Sequence, residues 1–348
     1  MSRADRLRLA FAGMHPLRRA GLIERYGSAR TVLDAIRRGA VRVPPAARRA
    51  ALQPAHRCTA RLQAVGVEAV MRGDPGYPEH LAGVPDAPDV LFVRGRLPPT
   101  PAVAVVGTRR CTRYGAGLAG AYGSALSEAG WPVASGLARG VDGAAHRAVV
   151  AAGGVGVAVL GSGSDVVYPP EHRGLHDALL DAGGAVITEY PPGVPPNGWR
   201  FPPRNRIISG LSAAVVVVEA PAAGGALVTA AAALDQGRPV FAVPGDVDRE
   251  ASRGCNLLIR DGAVPVLGPA DLIEALSLVP ALAAVQRGGP GAPRRGDPVV
   301  GAVGPAGATV AEIVESAGLP VHEVLARLTR LEVEGAVRRD GDLVLPGR

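Results

Sequence analysis

The sequence contains no lysine, few aromatic residues and only three cysteines. All 38 basic residues are therefore arginine, and any side-chain contact with a phosphate has to come from a guanidinium group. The cysteines, Cys58, Cys111 and Cys255, form no C-x-x-C pair, which argues against a disulfide scaffold or a structural zinc site and favours a reducing compartment. No apolar run approaches the roughly 18 residues that span a bilayer, and no signal peptide is evident. We expect a cytoplasmic protein that does not insert into membranes.

Charge is distributed unevenly along the chain. The net charge is +7, which favours polyanionic partners without identifying one. Residues 1–63 hold 14 arginines and three acidic residues, whereas the rest of the chain holds 24 arginines and 28 acidic residues. The basic excess thus lies wholly in the N-terminal segment.

Apolar runs alternate with helix-compatible stretches through the middle of the chain. The runs at 102–106, 155–160 and 213–218 are nearly continuous, as in strands that are buried on both faces of a parallel sheet. This pattern predicts an α/β, Rossmann-like, doubly wound and mostly parallel sheet.

The flanking segments indicate smaller domains. Ser28 is a candidate N-cap within an N-terminal helical pattern, and a Thr309–Glu312 capping box followed by an Asp340-Gly341 turn predicts a winged helix. We therefore expect a helical domain over 1–68, a connector with an edge strand over 69–100, a core over 101–280, a flexible linker over 281–304 and a winged helix over 305–348.

The first motif with chemical content follows the strand at 102–106. It reads Gly107-Thr108-Arg109-Arg110-Cys111-Thr112 and leads into a helix. Ligands of such sheets bind at the carboxyl ends of the strands, where helix N-termini favour phosphate. Gly107, Thr108, Arg109, Arg110 and Thr112 are thus candidate phosphate contacts, and an ordinary tight turn is the alternative. The G-x-G-x-x-G dinucleotide fingerprint is absent, so we expect no cofactor.

A second motif runs from Ser135 to His146. Ser135, Asp142 and His146 could form a hydrolase triad, but no G-x-S-x-G elbow supports one. We favour structural roles for Asp142 and His146. Gly136 and Arg139, in the same stretch, are further candidate phosphate contacts.

The third motif interleaves aromatic rings with arginines between Trp199 and Arg206. Rings can stack on bases while guanidinium groups hold phosphates, so Phe201, Arg204, Asn205 and Arg206 are candidates for single-strand binding. A solvated basic loop is the alternative.

A fourth motif places Gly224 and Gly225 between a strand and a helix, where backbone amides can bind an anion. It is not a Walker A loop, because the lysine is missing.

The order of these motifs is more specific than any one of them. GTRRCTRYG, SGLARGVDGAAH, VLGSGSDVVYPPEHR, FPPRNRIISGLS, GGALVTA, FAVPGDVD and SRGCNLLIRDGA follow one another over residues 72–276. In this order they resemble the DNA-processing protein A (DprA/Smf) family. The flanks resemble that family's sterile-alpha-motif-like domain and its winged helix.

The resemblance implies a protein of natural transformation that is not an enzyme. Such a protein binds single-stranded DNA, loads RecA onto it, helps displace single-strand-binding protein and forms a homodimer. The family's phosphate loop corresponds to Gly107, Thr108 and Arg109, and its basic pocket to Arg204, Asn205 and Arg206.

The sequence departs from the family pattern at three places. Thr108 stands where serine is common, and Gly224-Gly225-Ala226 replaces a Ser-Gly-Ser turn. Gly13-Met14-His15-Pro16 replaces the usual G-x-G hairpin, which puts helix-hairpin-helix DNA binding by the N-terminal domain in doubt.

Two other classes of function stay open from the sequence. A phosphoribohydrolase-like enzyme on the same Rossmann variant would bind nucleotides at glycine-rich turns, although its P-G-G-x-G-T signature is absent. A winged-helix regulator of duplex DNA is disfavoured, because residues 305–348 carry five arginines and seven acidic residues.

Overall fold

The computed structural model describes residues 2–278, 298–303, 307–333, 337–340 and 343–346. Contacts divide the chain into two compact units, Met1–Gln286 and Arg287–Arg348. No helix in the described ranges is long and apolar enough to cross a membrane.

Five helices form the N-terminal bundle. Ser28 accepts a hydrogen bond from the amide of Thr31, which confirms it as an N-cap. The bundle shares a hydrophobic cluster with the first two strands of the sheet, and the rings of Phe11 and Phe92 meet edge-to-face at 5.8 Å. The expected boundary at residue 68 therefore lies inside one compact unit. The helices are α1 (Arg3–Phe11), α2 (Pro16–Tyr26), α3 (Ala29–Arg37), α4 (Pro45–Leu52) and α5 (Ala55–Ala64).

Nine strands form the central sheet, in the order β1-β2-β6-β5-β4-β3-β7-β8-β9. The pairs β1–β2 and β2–β6 are antiparallel, and all other pairs are parallel. The strands are β1 (Glu68–Met71), β2 (Val90–Gly95), β3 (Ala102–Val106), β4 (Val133–Ser135), β5 (Gly156–Leu160), β6 (Ala185–Thr188), β7 (Ser212–Val217), β8 (Val240–Ala242) and β9 (Val264–Pro265).

Helices cover both faces of this sheet. Ala104 and Val106 point into one hydrophobic cluster, and their neighbours Val103 and Val105 point into another. This two-sided burial confirms the predicted doubly wound, mostly parallel sheet. The helices are α6 (Glu79–Ala82), α7 (Arg113–Glu128), α8 (Val141–Ala151), α9 (Arg173–Asp181), α10 (Phe201–Gly210), α11 (Gly225–Asp235), α12 (Glu250–Arg260) and α13 (Pro269–Leu278), with 3-10 turns at Pro170–His172 and Gly198–Arg200.

The strand order reverses beside β3. Strands β4, β5 and β6 follow on one side of it, and β7, β8 and β9 follow on the other. The gap between β3 and β7 is the topological switch point, where doubly wound sheets bind their ligands.

The second compact unit has the helices and hairpin of a winged helix. The predicted capping box is present, because Thr309 and Glu312 bond each other's backbone amides. Strands β11 and β12 pair as predicted. Asp340 of the expected turn is the last residue of β11, and Gly341 lies outside the described residues. The elements are α14 (Pro298–Val303), β10 (Ala308–Thr309), α15 (Val310–Ala317), α16 (Val321–Val333), β11 (Val337–Asp340) and β12 (Leu343–Pro346).

The expected linker over 281–304 differs from the structure at its C-terminal end. Residues Pro298–Val303 are helical, and Val299 and Val303 are buried in the core of the winged helix. Their apolar side chains stabilise that small core, so this stretch is part of the domain and not of a linker. Residues 281–297 and 304 lie outside the described residues.

Candidate nucleic-acid interface

A cleft of about 660 Å³ lies at the switch point. Its walls come from the turns that follow β3 and β7 and from the start of α10 and α11. The cleft brings together nine of the residues predicted from sequence: Gly107, Thr108, Arg109, Arg110, Phe201, Arg204, Asn205, Gly224 and Gly225.

The turn after β3 presents two arginines to the cleft. The amide of Thr108 donates to the carbonyl of Glu219 at 2.7 Å, which ties the turn to the end of β7. Arg109 and Arg110 follow with exposed side chains. The Arg109 guanidinium lies 4.8 Å from the centroid of the Phe201 ring, so a cation and an aromatic face meet at the cleft wall.

The N-terminus of α7 is hydrogen-bonded to the carboxylate of Glu219. The amide of Thr112 donates to Glu219 Oε2 at 2.8 Å, and the Thr112 hydroxyl donates to Oε1. A side chain at Gly115 would place its Cβ 2.2 Å from the Glu219 carboxyl carbon, so only glycine permits this approach. The amides expected to favour phosphate at this helix are thus partly used by Glu219, and Thr112 lies outside the cleft. The start of α11, at Gly224 and Gly225, lines the cleft instead.

Arg204 is a buried cation at the base of the cleft. Its guanidinium donates to the carbonyl of Gly136 at 2.9 Å and to the carbonyl of Val159. Burial lowers the pKa of Arg204 to about 10, so the side chain remains charged at neutral pH. Asn205 donates from Nδ2 to the carbonyl of Gly225 at 3.0 Å and so links α10 to α11.

Arg206 lies away from the cleft, although it is only two residues from Arg204. Its guanidinium contacts Glu189 and Asp86, each at 2.9 Å. Both Arg206 and Glu189 are buried. The sequence motif at 204–206 therefore contributes to the cleft only through its first two residues.

Gly136 and Arg139 line a small cavity of about 30 Å³, whose lining also includes Arg109, Phe201 and Arg204. A Cβ at Gly136 would lie 2.6 Å from Arg204 Nη2, so this glycine leaves room for the buried guanidinium. Arg139 forms an exposed ion pair with Glu171.

Tyr168 is a candidate that the sequence reasoning missed. It lines both cavities, is 37% exposed, and its ring centroid lies 5.6 Å from that of Phe201. The exposed part of the Tyr168 ring offers a surface on which a base could stack, next to the Phe201 ring that Arg109 covers. The only local sequence feature that could have indicated Tyr168 is its position before Pro169 and Pro170, in the segment that follows β5.

The hydrolase triad is not assembled. Ser135 donates from Oγ to the carbonyl of Val105 at 2.7 Å, and Asp142 accepts from the amides of Gly136 and Ala138. No hydrogen bond joins the side chains of Ser135, Asp142 and His146, all of which lie in the described ranges. Burial lowers the pKa of His146 to about 4, which favours the structural role predicted for it. Within the described residues, no group of His, Cys, Asp and Glu could hold a metal ion.

The fold and the site together define a Rossmann-like protein with a basic, aromatic cleft at the switch point of its sheet, followed by a winged helix. Residues 68–277 match the family model of DNA recombination-mediator protein A, and residues 289–342 match the DprA winged helix domain. The chain belongs to the DNA recombination-mediator protein A family, as the order of its motifs predicted.

Individual relatives agree with this assignment. The chain is 40% identical over 268 residues to protein Smf of Escherichia coli K12, covering 74% of this chain and 72% of that protein. It is similar in structure to DNA processing protein A of Streptococcus pneumoniae, with a TM-score of 0.65 and 33% identity over 79% of this chain and 98% of that one. DNA processing protein A of Helicobacter pylori, described for its single-stranded DNA binding mode, gives a TM-score of 0.53 and 25% identity over 60% of this chain and 95% of that one.

Proposed function

We propose that this chain binds single-stranded DNA, without sequence specificity, in the cleft at its switch point and loads RecA recombinase onto that DNA. The observation that carries the proposal is the contact of Arg109 with Phe201, with Tyr168 on the same wall. A guanidinium can neutralise a phosphate while a neighbouring ring receives a base, and every base has a face that can stack. Binding through backbone charge and stacking is independent of sequence.

Membership in the family supports a proposal about further partners. We propose that the protein acts in the cytoplasm during DNA uptake, natural transformation and recombination, where it contacts RecA and displaces single-strand-binding protein. These contacts require a surface that remains accessible when DNA fills the cleft, as RecA must receive the strand directly.

A homodimer is also part of the proposal. Strand β9 ends the nine-strand order, and edge strands offer unpaired backbone groups to a partner. Val264 on this strand and Leu267 just after it are exposed apolar residues, Leu267 to 82%. A second copy packing here would bury them. Sedimentation at micromolar concentration should show two copies, and a strict monomer that still stimulates RecA would contradict this part of the proposal.

A phosphoribohydrolase is the alternative in a different class. The P-G-G-x-G-T signature of that enzyme class is absent, and the segment Ala223-Gly224-Gly225-Ala226-Leu227 resembles it only in part. Incubation with nucleoside monophosphates distinguishes the two readings, because the enzyme would release free base and a DNA-binding protein would not.

The decisive test of binding is a salt titration with matched single-stranded and duplex oligonucleotides. We expect preference for the single strand and little dependence on sequence. Affinity should fall with salt along a log–log slope of about −0.7 for each phosphate neutralised. Equal affinity for the two forms would contradict the proposal.

A further inference from the structure

Aromatic side chains from two parts of the chain stack where the N-terminal bundle meets the core. The ring of His15, at the N-cap of α2, lies on that of Trp199 with centroids 5.2 Å apart and an interplanar angle of 26°. Tyr190 meets Trp199 edge-to-face at 6.1 Å. Trp199 is nevertheless 39% exposed. Part of a large ring system is thus available to a ligand.

Positive charge borders this stack. The Arg200 guanidinium lies 4.8 Å from the centroid of Trp199 and 5.3 Å from that of Tyr190. Arg18, in the first turn of α2, is exposed, and its guanidinium donates to the carbonyl of Arg42 at 2.7 Å. The bundle that supplies His15 carries the basic excess of the whole chain. Rings next to guanidinium groups form the kind of surface that binds single strands.

The stack also continues the cleft along the chain. Pro196, Asn197 and Gly198 line the cleft just before Trp199, and Phe201 lines it just after. A strand that leaves the cleft over this segment would meet Trp199 next. We infer that single-stranded DNA extends from the cleft onto the Trp199–His15 stack, where a base rests on the exposed part of Trp199. The N-terminal bundle then forms part of the DNA-binding surface. This inference rests on the proposed function.

The junction that carries the stack is held in place by buried charge. Arg19, four residues after His15, donates to Glu189 at 2.7 Å, and Glu189 directly precedes Tyr190. Bundle and core belong to one compact unit. The stack is therefore formed before DNA binds, so little ordering is needed on binding.

The chain offers a direct spectroscopic test, because it has two tryptophans. Trp131 is buried in the core at 3% exposure, far from solvent. Trp131→Phe leaves Trp199 as the sole tryptophan, and saturation with an oligo-dT of about 20 nucleotides, longer than typical single-strand sites, should quench its emission. The matched control is Trp199→Phe, which leaves only Trp131. Its emission should not change.

Affinity provides the second readout. Trp199→Ala in the full chain should weaken oligo-dT binding about tenfold, which is roughly 1.4 kcal/mol and within the range for one base–aromatic stack. The salt slope should not change, since stacking releases no counterions. His15→Ala should act in the same direction, and Trp199→Phe should retain most of the affinity. Circular dichroism should establish that each variant is folded at the temperature of the titration.

Two results would overturn the inference alone: unchanged emission of Trp199 while oligo-dT binds, or parental affinity in a folded Trp199→Ala variant. If the parent chain binds no single-stranded DNA at all, the proposed function fails and this inference fails with it.

Discussion

Arg19, in the N-terminal bundle, donates a hydrogen bond of 2.7 Å to the carboxylate of Glu189 in the core, and both side chains are about 4% exposed. Arg206 donates to the other carboxylate oxygen at 2.9 Å. One buried anion therefore joins α2, the segment after β6 and α10. Removing one member of a buried ion pair leaves an uncompensated charge, which costs far more than losing an exposed pair.

Arg206→Ala should lower stability more than it lowers affinity for DNA. We expect a loss of at most about 3 kcal/mol in the free energy of unfolding, the lower end of the range for breaking a buried ion pair, because Arg19 still pairs with Glu189 when Arg206 is removed. Urea denaturation measures this loss. The folded variant should bind oligo-dT nearly as the parent does, since Arg206 lies outside the cleft. Arg260→Ala, which removes an arginine from an exposed ion pair with Asp261, is the matched control. A stable Arg206→Ala variant with weak binding and a flatter salt slope would show that Arg206 contacts DNA.

Arg109 and Phe201 should contribute to binding by different physical means. Arg109→Ala should cost about 1.5–3 kcal/mol, the range for hydrogen bonds to charged groups, and should flatten the salt slope by up to one phosphate's worth. Phe201→Ala should weaken binding by about 1–3 kcal/mol without changing the slope. Because the two side chains are in contact, their effects should couple in a double-mutant cycle. If both variants are folded and bind oligo-dT with the affinity of the parent, DNA does not bind in the cleft.

Glu219→Gln should raise affinity for DNA while lowering stability. The substitution keeps the shape of the side chain but removes a negative charge beside the cleft. The gain should be about 1 kcal/mol at low salt, the energy of two unit charges some 4 Å apart in water, and should shrink as salt is added. The start of α7 loses its anion, which should cost about 1 kcal/mol of stability. Weaker binding by a folded variant would indicate that Glu219 orders the arginine turn for DNA.

The sequence was sufficient for the sheet, the motif order and nine residues of the cleft, because these depend on local patterns. The orientation of Arg206 is not predictable from the motif, because the Pro202-Pro203 pair hides the helix that spans Phe201–Gly210. In a helix, residues 204 and 206 differ in direction by about 200°, so the two arginines point apart. The contact of Glu219 with Thr112 spans 107 positions and leaves no local signal. Tyr168 likewise reaches Phe201 only through the fold.

The winged helix should not contribute to the affinity of the cleft. Residues 305–348 carry more acidic than basic residues, which disfavours contact with phosphates. A chain shortened after Gln286, the end of the first compact unit, should keep single-strand affinity within about tenfold, or 1.4 kcal/mol. A larger loss in the same oligo-dT titration would assign DNA binding to the winged helix.

His146 should make the fold sensitive to mild acid without affecting the cleft. Its pKa is about 4 in the folded protein because the ring is buried, whereas the ordinary value is 6.5. Between pH 6.5 and 4, His146 binds a proton in the unfolded chain but not in the folded chain. The free energy of unfolding therefore decreases as the pH is lowered through this range. The loss should total roughly 3 kcal/mol. His146→Leu should remove this part of the pH dependence, as measured by urea denaturation between pH 7.5 and 4. His56→Leu, at an exposed histidine, should leave the dependence as in the parent. A parental pH profile in His146→Leu would mean that the imidazole takes up its proton at the same pH in the folded and the unfolded chain.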